Sequence, residues 1–283
     1  MSGEDASGMG FRKPRRQQST KSARTAGRQG PARRQVAPSG PSASPTQLRI
    51  APQILFEDDD VLVAVKPAGL ATANVPRGQE SLLTHLRRVI EGRQADGAAD
   101  AEAPFLGVVS RLDQLVSGVV VLARSRKAAA SLSDQFRNRT VEKTYHALVS
   151  GRFPGPVGER LTWTDVLERP PAGPSDTAAS QQEAVVEVRL LARGVEVSLV
   201  ELMPKTGRRH QLRVQLGSRK CPIVGDRLYG SRLPFPHGIA LHSSQLCIDH
   251  PSTGQRLSFR ADWPAAWRLA ARGLPLPAPD LSP

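Results

Sequence analysis

Residues 108–123 read VVSRLDQLVSGVVVLA, in which two apolar runs flank a polar loop. The β-branched runs at 108–109 and 119–123 predict short buried strands, because branched side chains pack well on a pleated surface. The loop between them would place Arg111 and Asp113 at a strand end, with both side chains free to point into a cleft. By residue type alone, an Arg-x-Asp pattern is most often an ordinary ion pair, so the loop is a candidate site and no more.

The patterns on either side of this loop predict more strands than helices. Further strands are predicted at residues 54–56, 61–65, 145–149, 239–248 and 256–259, with an antiparallel hairpin from 186–190 and 195–199. Helices are predicted at 81–90, at 125–136 and after Pro264, and residues 92–104 predict a loop. Residues 153–182, rich in Pro, Gly and Ser, predict a surface excursion with a short hairpin near 161–167. This balance favours an α+β fold with a mixed, mostly antiparallel β-sheet flanked by helices.

Positive charge is concentrated at the N-terminus of this 283-residue chain. The net charge is +13, and residues 1–50 carry ten Lys or Arg but only two acidic residues. Residues 1–47 predict a disordered basic tail because they hold almost no large apolar side chains; residues 48–275 predict one folded domain, and 276–283 a second disordered tail. The basic tail either solubilises the protein or binds phosphates without specificity. A mitochondrial transit peptide is a weaker alternative, since no amphipathic stripe is visible.

Several classes of protein are disfavoured by what the sequence lacks. No run of about 18 apolar residues could span a membrane, and no secretory leader is expected. Cys221 and Cys247 are too few for a disulfide framework, so a reducing, cytoplasmic setting is expected. No nucleotide-binding loop or nucleophile elbow occurs. The spacing of His237, His242 and His250 matches no common zinc site, so no metal is expected.

A second polar segment, PKTGRRHQLRVQL at residues 204–216, is strongly basic. Its Thr-Gly turn leads into a helix-compatible stretch in which Arg209 and Arg213 are four residues apart and would share a face. Taken alone, such a helix is equally compatible with a solvated surface. Together with the high net charge, it makes an acidic polymer such as nucleic acid the leading class of partner.

Five blocks of sequence, in order along the chain, resemble the RluA-type pseudouridine synthases. SRLDQLVSG at 110–118 is similar to the family's H-R-L-D-x-x-T-S-G signature. The other blocks are the E-D and K-P-x-G elements at 57–69, the K-x-Y-x-A-x-V-x-G strand at 143–151, T-G-R-x-H-Q-[IL]-R followed by P-I-x-G-D-x-x-Y-G at 206–230, and L-H with H-P-x-T-G at 241–254. The match spans residues 50–265, and five ordered blocks are far more specific than any single motif.

The resemblance implies a pseudouridine-synthase catalytic domain at 48–275 that isomerises uridine to pseudouridine in structured ribosomal or transfer RNA. It implies a monomer that needs no cofactor and no metal. The reacting group would be Asp113, either as a nucleophile at C1′ or as a base in an elimination through a glycal. Arg213 would keep this carboxylate ionised in a cleft that excludes water. Tyr145 would stack on the uracil and so retain the detached base.

RNA contacts are also implied by the resemblance. A uridine in folded RNA must leave its stack, and Arg111 is the candidate to fill the gap that it leaves. The other expected substrate- or RNA-binding residues are Lys66, Arg208, Arg209, His210 and Gln211. The chain departs from the family pattern at Ser110, Val116 and Gln215, where His, Thr and His are usual. These departures motivate an alternative function, an RNA-binding or RNA-chaperone protein on the same scaffold with weak or lost catalysis.

Overall fold

A computed structural model describes residues 51–95, 105–169, 180–271 and 273–274 of the chain. Its strands are β1 (Gln53–Glu57), β2 (Val61–Lys66), β3 (Gly107–Val108), β4 (Ser117–Ala123), β5 (Glu142–Ser150), β6 (Arg160–Arg169), β7 (Ser180–Arg193), β8 (Val197–Pro204), β9 (Leu241–Asp249) and β10 (Arg256–Arg260). Its helices are α1 (Leu82–Ala95), α2 (Arg126–Asn138), α3 (Gln211–Ser218) and α4 (Ala266–Ala270), with a 3₁₀ turn at Arg227–Tyr229. The tails predicted at 1–47 and 276–283 lie outside the described residues.

The described strands form one ten-stranded sheet. Eight of them run in the order β1-β2-β4-β9-β5-β8-β7-β6, while β3 pairs with β4 and β10 pairs with β9. The pairings are antiparallel except for that of β4 with β9, which is parallel between Ser117–Gly118 and His242–Ser243. The predicted α+β fold with a mixed, mostly antiparallel sheet is therefore confirmed.

The parallel contact between β4 and β9 fixes the end of the polar loop at 109–116. β4 is buried along its whole length. Gly118 has a φ of +121°, and a Cβ at this position would collide with the backbone of Ser243 on β9. Only glycine combines this backbone conformation with so close an approach. The loop that leads into β4 is therefore held against the middle of the sheet.

Residues 160–169 and 180–182 of the segment predicted as a surface excursion belong instead to the sheet, in β6 and β7. β6 and β7 pair over ten positions, from Arg160↔Arg189 to Arg169↔Ser180, and the side chains of Trp163 and Val186 are buried. The prediction is wrong because it rests on composition. The Pro and Gly residues of 153–182 precede or follow β6, whereas the strand itself carries apolar side chains that cover the core.

Two helices also differ from their predicted bounds. α1 continues to Ala95, past the predicted loop start at residue 92. Gly92 disfavours a helix interior by only about 1 kcal/mol relative to Ala, which is too little to end the helix. α3 begins at Gln211, because His210 takes a left-handed φ of 53°. Arg209 therefore precedes the helix, and the prediction that it shares a helical face with Arg213 is wrong.

Neither a membrane span nor a metal cluster is found in the described part of the chain. No helix there combines the length and apolar composition needed to cross a bilayer. No three His, Cys, Asp or Glu side chains there form a group that could hold a metal ion. His250 instead pairs with Asp58, with 2.9 Å between Nε2 and Oδ2.

His146 on β5 and His242 on β9 occupy paired positions of the sheet. His242 is fully buried. Its Nε2 lies 3.2 Å from the carbonyl oxygen of Ala261 and must donate to it, so Nδ1 accepts from the Ser117 hydroxyl at 2.8 Å. Burial lowers the pKa of each histidine to about 4. Both rings are therefore neutral at neutral pH, and that of His242 ties the start of β4 to β9.

We expect acid to destabilise the fold through these rings. The unfolded chain takes up a proton at His242 near pH 6.5, whereas the folded chain does so only near pH 4, so stability falls as the pH drops through this interval. At pH 5 the loss from His242 is about 2 kcal/mol. Urea unfolding at pH 7.5 and pH 5 measures it. In His242→Asn this contribution should disappear; an unchanged pH dependence in that variant would contradict the assignment.

Candidate active site

The polar loop at 109–116 is fastened to the turn that follows β2. Lys66 Nζ donates to the backbone carbonyl oxygens of Pro67, Leu70 and Gln114 at 2.9, 2.6 and 3.2 Å. Because Gln114 lies in the loop and the other two lie in the turn, one ammonium group joins the two segments. These bonds fix the backbone beside Asp113.

Lys66 therefore has a structural role in this structure, and the expectation that it binds RNA stays a prediction. Its side chain is fully buried. Burial lowers the pKa of Lys66 to about 7, and the negative charge of Asp113 partly opposes that effect. Three backbone carbonyl groups accept hydrogen bonds from the buried ammonium, which therefore does not reach the surface.

Asp113 projects from the loop into a cleft of about 1180 Å³. Its side chain is 31% exposed. Among the described residues that line the cleft, it is the only acidic one. Eight cationic side chains line the same cleft, namely Arg111, Arg137, Arg139, Lys143, Lys205, Arg208, Arg209 and Arg213. A concave, strongly positive wall with a single carboxylate is suited to a polyanion.

Arg213, on α3, joins two carboxylates. Its Nε and Nη2 donate to Asp226 at 2.7 and 2.9 Å, and its Nη1 donates to Asp113 Oδ2 at 3.2 Å. Its side chain is only 5% exposed, and the ring of Tyr229 covers the guanidinium at 5.0 Å from its centroid. Burial alone would lower the pKa of Arg213, but the hydrogen bonds to Asp226 and Asp113 raise it. A fixed positive charge thus lies beside the Asp113 carboxylate.

His210 lies on the other side of the same carboxylate. Its Nε2 is 3.6 Å from Asp113 Oδ2, and its Nδ1 is 2.9 Å from the Tyr229 hydroxyl. Burial lowers the pKa of His210, and Asp113 opposes the effect while Arg213 and Arg209 reinforce it. The left-handed backbone at this residue turns the ring toward Asp113. The structure therefore places His210 against the candidate reacting group as well as on the cleft wall.

Tyr145 reaches the cleft from β5. It lines the cleft together with Asp113 and Ser243. Burial raises the pKa of Tyr145 to about 12, with a hydrogen bond to Ser243 opposing and the charge of Asp113 adding to the rise. The side chain is therefore a neutral phenol at any physiological pH, and it presents an aromatic ring inside the cleft.

The other predicted RNA-binding residues have different environments. Gln211 is buried: its Oε1 accepts from Thr206 Oγ1 and from the Arg208 N–H, and its Nε2 donates to Val185 O. It holds the turn before α3 in place, and the expectation that it binds RNA stays a prediction. Arg208 and Arg111 line the cleft, as does the exposed Arg209.

The three departures from the family pattern also differ in their surroundings. Ser110 lines the cleft. Val116 is 2% exposed in the core, where it leaves no hydroxyl that would require a partner. Gln215 is buried on α3 and donates to Asp165 Oδ2 at 2.7 Å and to Ala184 O at 3.1 Å, so it fastens the helix to β6 and β7.

Some residues of the site escape sequence reasoning. Asp226 and Tyr229 lie within a quoted block, but nothing in the pattern indicates that they enclose Arg213. Arg137 and Arg139 belong to none of the blocks. Their position at the end of α2, close to β5, could be anticipated only from the tertiary structure.

Comparison with known proteins identifies the family of the chain. The family model described as RNA pseudouridylate synthase matches residues 60–218, which include Asp113, Tyr145 and Arg213. The chain belongs to this family. Its members are isomerases that convert uridine to pseudouridine. The predicted family and the predicted enzyme class are thereby confirmed.

Individual relatives are similar over most of the chain. The tRNA pseudouridine synthase C of Pectobacterium carotovorum is 31% identical over 82% of this chain and 66% of its own. Ribosomal large subunit pseudouridine synthase D of Xanthomonas campestris is 34% identical over 77% of this chain and 70% of its own. The solved structure of human RNA pseudouridylate synthase domain containing 4 has a TM-score of 0.62 and 26% identity, over 80% of this chain and 95% of that one.

We expect the Arg213–Asp226 pair to dominate local stability. Arg213→Met leaves the Asp226 carboxylate, which is 1% exposed, without its bidentate partner. The free energy of unfolding should fall by about 3 kcal/mol or more, because the remaining charge is buried and unpaired. The matched control is Arg137→Met, whose exposed pair with Asp134 should contribute less than about 1 kcal/mol. Similar urea midpoints for both variants would contradict this view.

Proposed function

We propose that this synthase converts specific uridines of structured ribosomal or transfer RNA to pseudouridine without a cofactor, with Asp113 as the reacting carboxylate. One observation carries the proposal: the only acidic side chain among the described residues lining the cleft is held at 3.2 Å by a buried, permanently charged arginine. Relatives named for tRNA and for the large ribosomal subunit support these two RNA classes as substrates.

The carboxylate can act by either of two routes. In the nucleophilic route, an Asp113 oxygen attacks C1′ while the C1′–N1 bond breaks and its electron pair leaves with uracil. In the elimination route, Asp113 removes the C2′ proton as the same bond breaks, which leaves a glycal. In both routes the uracil turns and C5 bonds to C1′; in the first route the C1′–O bond to Asp113 breaks in this step, and in the second Asp113 returns the proton to C2′. The proton on C5 is then lost, and N1 gains a proton. The product has the atoms of the substrate, so no group or electron has to be supplied.

The charge states of the cleft suit both routes. Arg213 donates a charge-assisted hydrogen bond to the Asp113 carboxylate at 3.2 Å and so orients the oxygen that would act as a nucleophile or a base. Tyr145 stays a neutral phenol, with a pKa of about 12, and offers a ring on which a detached uracil can stack. Retention of the base is essential, because C5 of the same uracil must return to C1′.

Entry of the uridine requires that it leaves its stack in the folded RNA. Arg111 is exposed on the cleft wall, two residues before Asp113. We assign to it the filling of the gap that the extruded base leaves, since a planar guanidinium can stack on the neighbouring bases. The side of the cleft formed by Arg208 and the exposed Arg209 would contact the backbone of the surrounding RNA.

Asp113→Asn tests the assignment of the reacting group. The change keeps the shape of the side chain but removes its charge, and we expect pseudouridine formation to fall by more than about a thousandfold. RNA affinity should be retained or slightly increased, because the cleft becomes more positive. Pseudouridine mapping of total RNA from cells with either protein measures activity and identifies the modified sites.

Asp134→Asn, at an exposed position on α2, is the matched control and should leave every site modified. Sites that are lost only with Asp113→Asn would also identify the substrate. If the wild-type protein binds RNA but modifies no uridine in cells or in vitro, the isomerase proposal fails. The alternative of an RNA-binding protein with lost catalysis would then be supported.

A further inference from the structure

Two neighbouring cations on the cleft wall lack an acidic partner. Lys143, on β5, and Arg139, at the end of α2, both line the cleft. Among the described residues, neither side chain has a carboxylate within ion-pair distance, whereas Arg137 pairs with Asp134 and Lys205 pairs with Glu187. Lys143 and Arg139 are therefore uncompensated within the described residues, in contrast to Arg137 and Lys205 on the same wall.

The environment of Lys143 makes this lack of a partner costly. Its side chain is half-buried. Burial lowers the pKa of Lys143, and the positive charge of Arg139 lowers it further. A desolvated ammonium beside a second cation disfavours the free protein, and an anion placed between the two would relieve both effects.

The position of Lys143 indicates where such an anion lies. Lys143 and Tyr145 are two residues apart on β5, so their side chains project from the same face of the strand, roughly 7 Å apart along it. On the other side, Lys143 Nζ is 3.9 Å from the position that a Cβ of Gly207 would take. The Lys143 side chain therefore lies in the cleft between Tyr145 and the turn that precedes α3.

We propose that Lys143, together with Arg139, binds a backbone phosphate of the RNA next to the uridine that stacks on Tyr145. The location of the phosphate relative to the uridine rests on the proposed function, whereas the phosphate site itself does not. Lys143 is then a positioning residue: it fixes the sugar–phosphate chain so that C1′ faces Asp113. It takes no part in bond making or bond breaking.

The salt dependence of RNA binding tests the phosphate site. A fluorescein-labelled RNA stem–loop with uridines in its loop is titrated with the full chain at several KCl concentrations. The slope of log K against log [KCl], where K is the association constant, is negative. In Lys143→Met, loss of one phosphate contact should make this slope less steep by about 0.7–0.9 and weaken binding at 0.1 M KCl about sixfold. Lys143→Arg should restore both values, since it keeps the positive charge.

The matched control is Lys127→Met, which removes one charge from an exposed position of α2 that does not line the cleft. It should leave the slope unchanged. Lys143→Met should unfold at the same urea concentration as the wild type or a higher one, because it removes a desolvated charge. Equal slopes for wild type and Lys143→Met, or an equal loss with Lys127→Met, would overturn the proposal.

Neutral phosphate analogues locate the contact. Single methylphosphonate linkages, placed in turn along the loop, should weaken binding of the wild type at one position and leave Lys143→Met insensitive there. Equal sensitivity of both proteins at every position would overturn the site. Pseudouridine formation is assayed separately in the same RNAs: a phosphate contact without isomerisation would refute the proposed function alone, and isomerisation without the contact would refute this inference alone.

Discussion

The cleft is organised around one buried cation shared by two carboxylates. Arg213 uses Nε and Nη2 for Asp226 and has only Nη1 left for Asp113. A guanidinium suits this position because its donors form a rigid planar fork, whereas a lysine would offer one point charge. The bidentate pair with Asp226 compensates for burial of the cation. The hydrogen bond from Nη1 can therefore hold Asp113 while that carboxylate stays partly exposed. Asp113 thus remains accessible beside a fixed positive charge.

The parallel pairing of β4 with β9 places the loop of Asp113 beside residues that lie more than a hundred positions later in the chain. Because parallel strands begin at the same edge of a sheet, the start of β4, which follows Asp113, meets His242 and Ser243 at the start of β9. The tight approach at Gly118 and the ammonium of Lys66 then fix the loop from both sides. The carboxylate is positioned mainly by backbone contacts, which leaves the side chains of the cleft free to meet RNA.

The sequence predicts residue types at the site better than their uses. Periodicity and the ordered blocks are enough to predict the mixed sheet and to select Asp113, Tyr145 and Arg213 as a set. Lys66 and Gln211 belong to the same blocks, yet both make hydrogen bonds within the protein. A sequence motif shows that a polar side chain is present, but it does not show whether the partner of that side chain is the protein backbone or a ligand. β6 is missed for another reason: the composition of 153–182 averages a regular strand with its irregular flanks. The roles of Lys66 and Gln211 and the pairing of β6 follow from the three-dimensional structure and not from the sequence pattern.

The buried cation of the cleft and the more accessible cations have different surroundings. The buried cation acts on Asp113, whereas the accessible cations are expected to contribute to RNA affinity. The deep cation, Arg213, is compensated by carboxylates and largely shielded from solvent ions, so its effect on Asp113 should vary little with ionic strength. The shallower cations outnumber their acidic partners, and counterions occupy them until RNA arrives, which makes binding sensitive to salt. In the proposed function the base stacks on Tyr145, which does not ionise near pH 7. We therefore expect a uridine to be drawn in by its phosphates while its ring meets an uncharged side chain against which it is free to turn.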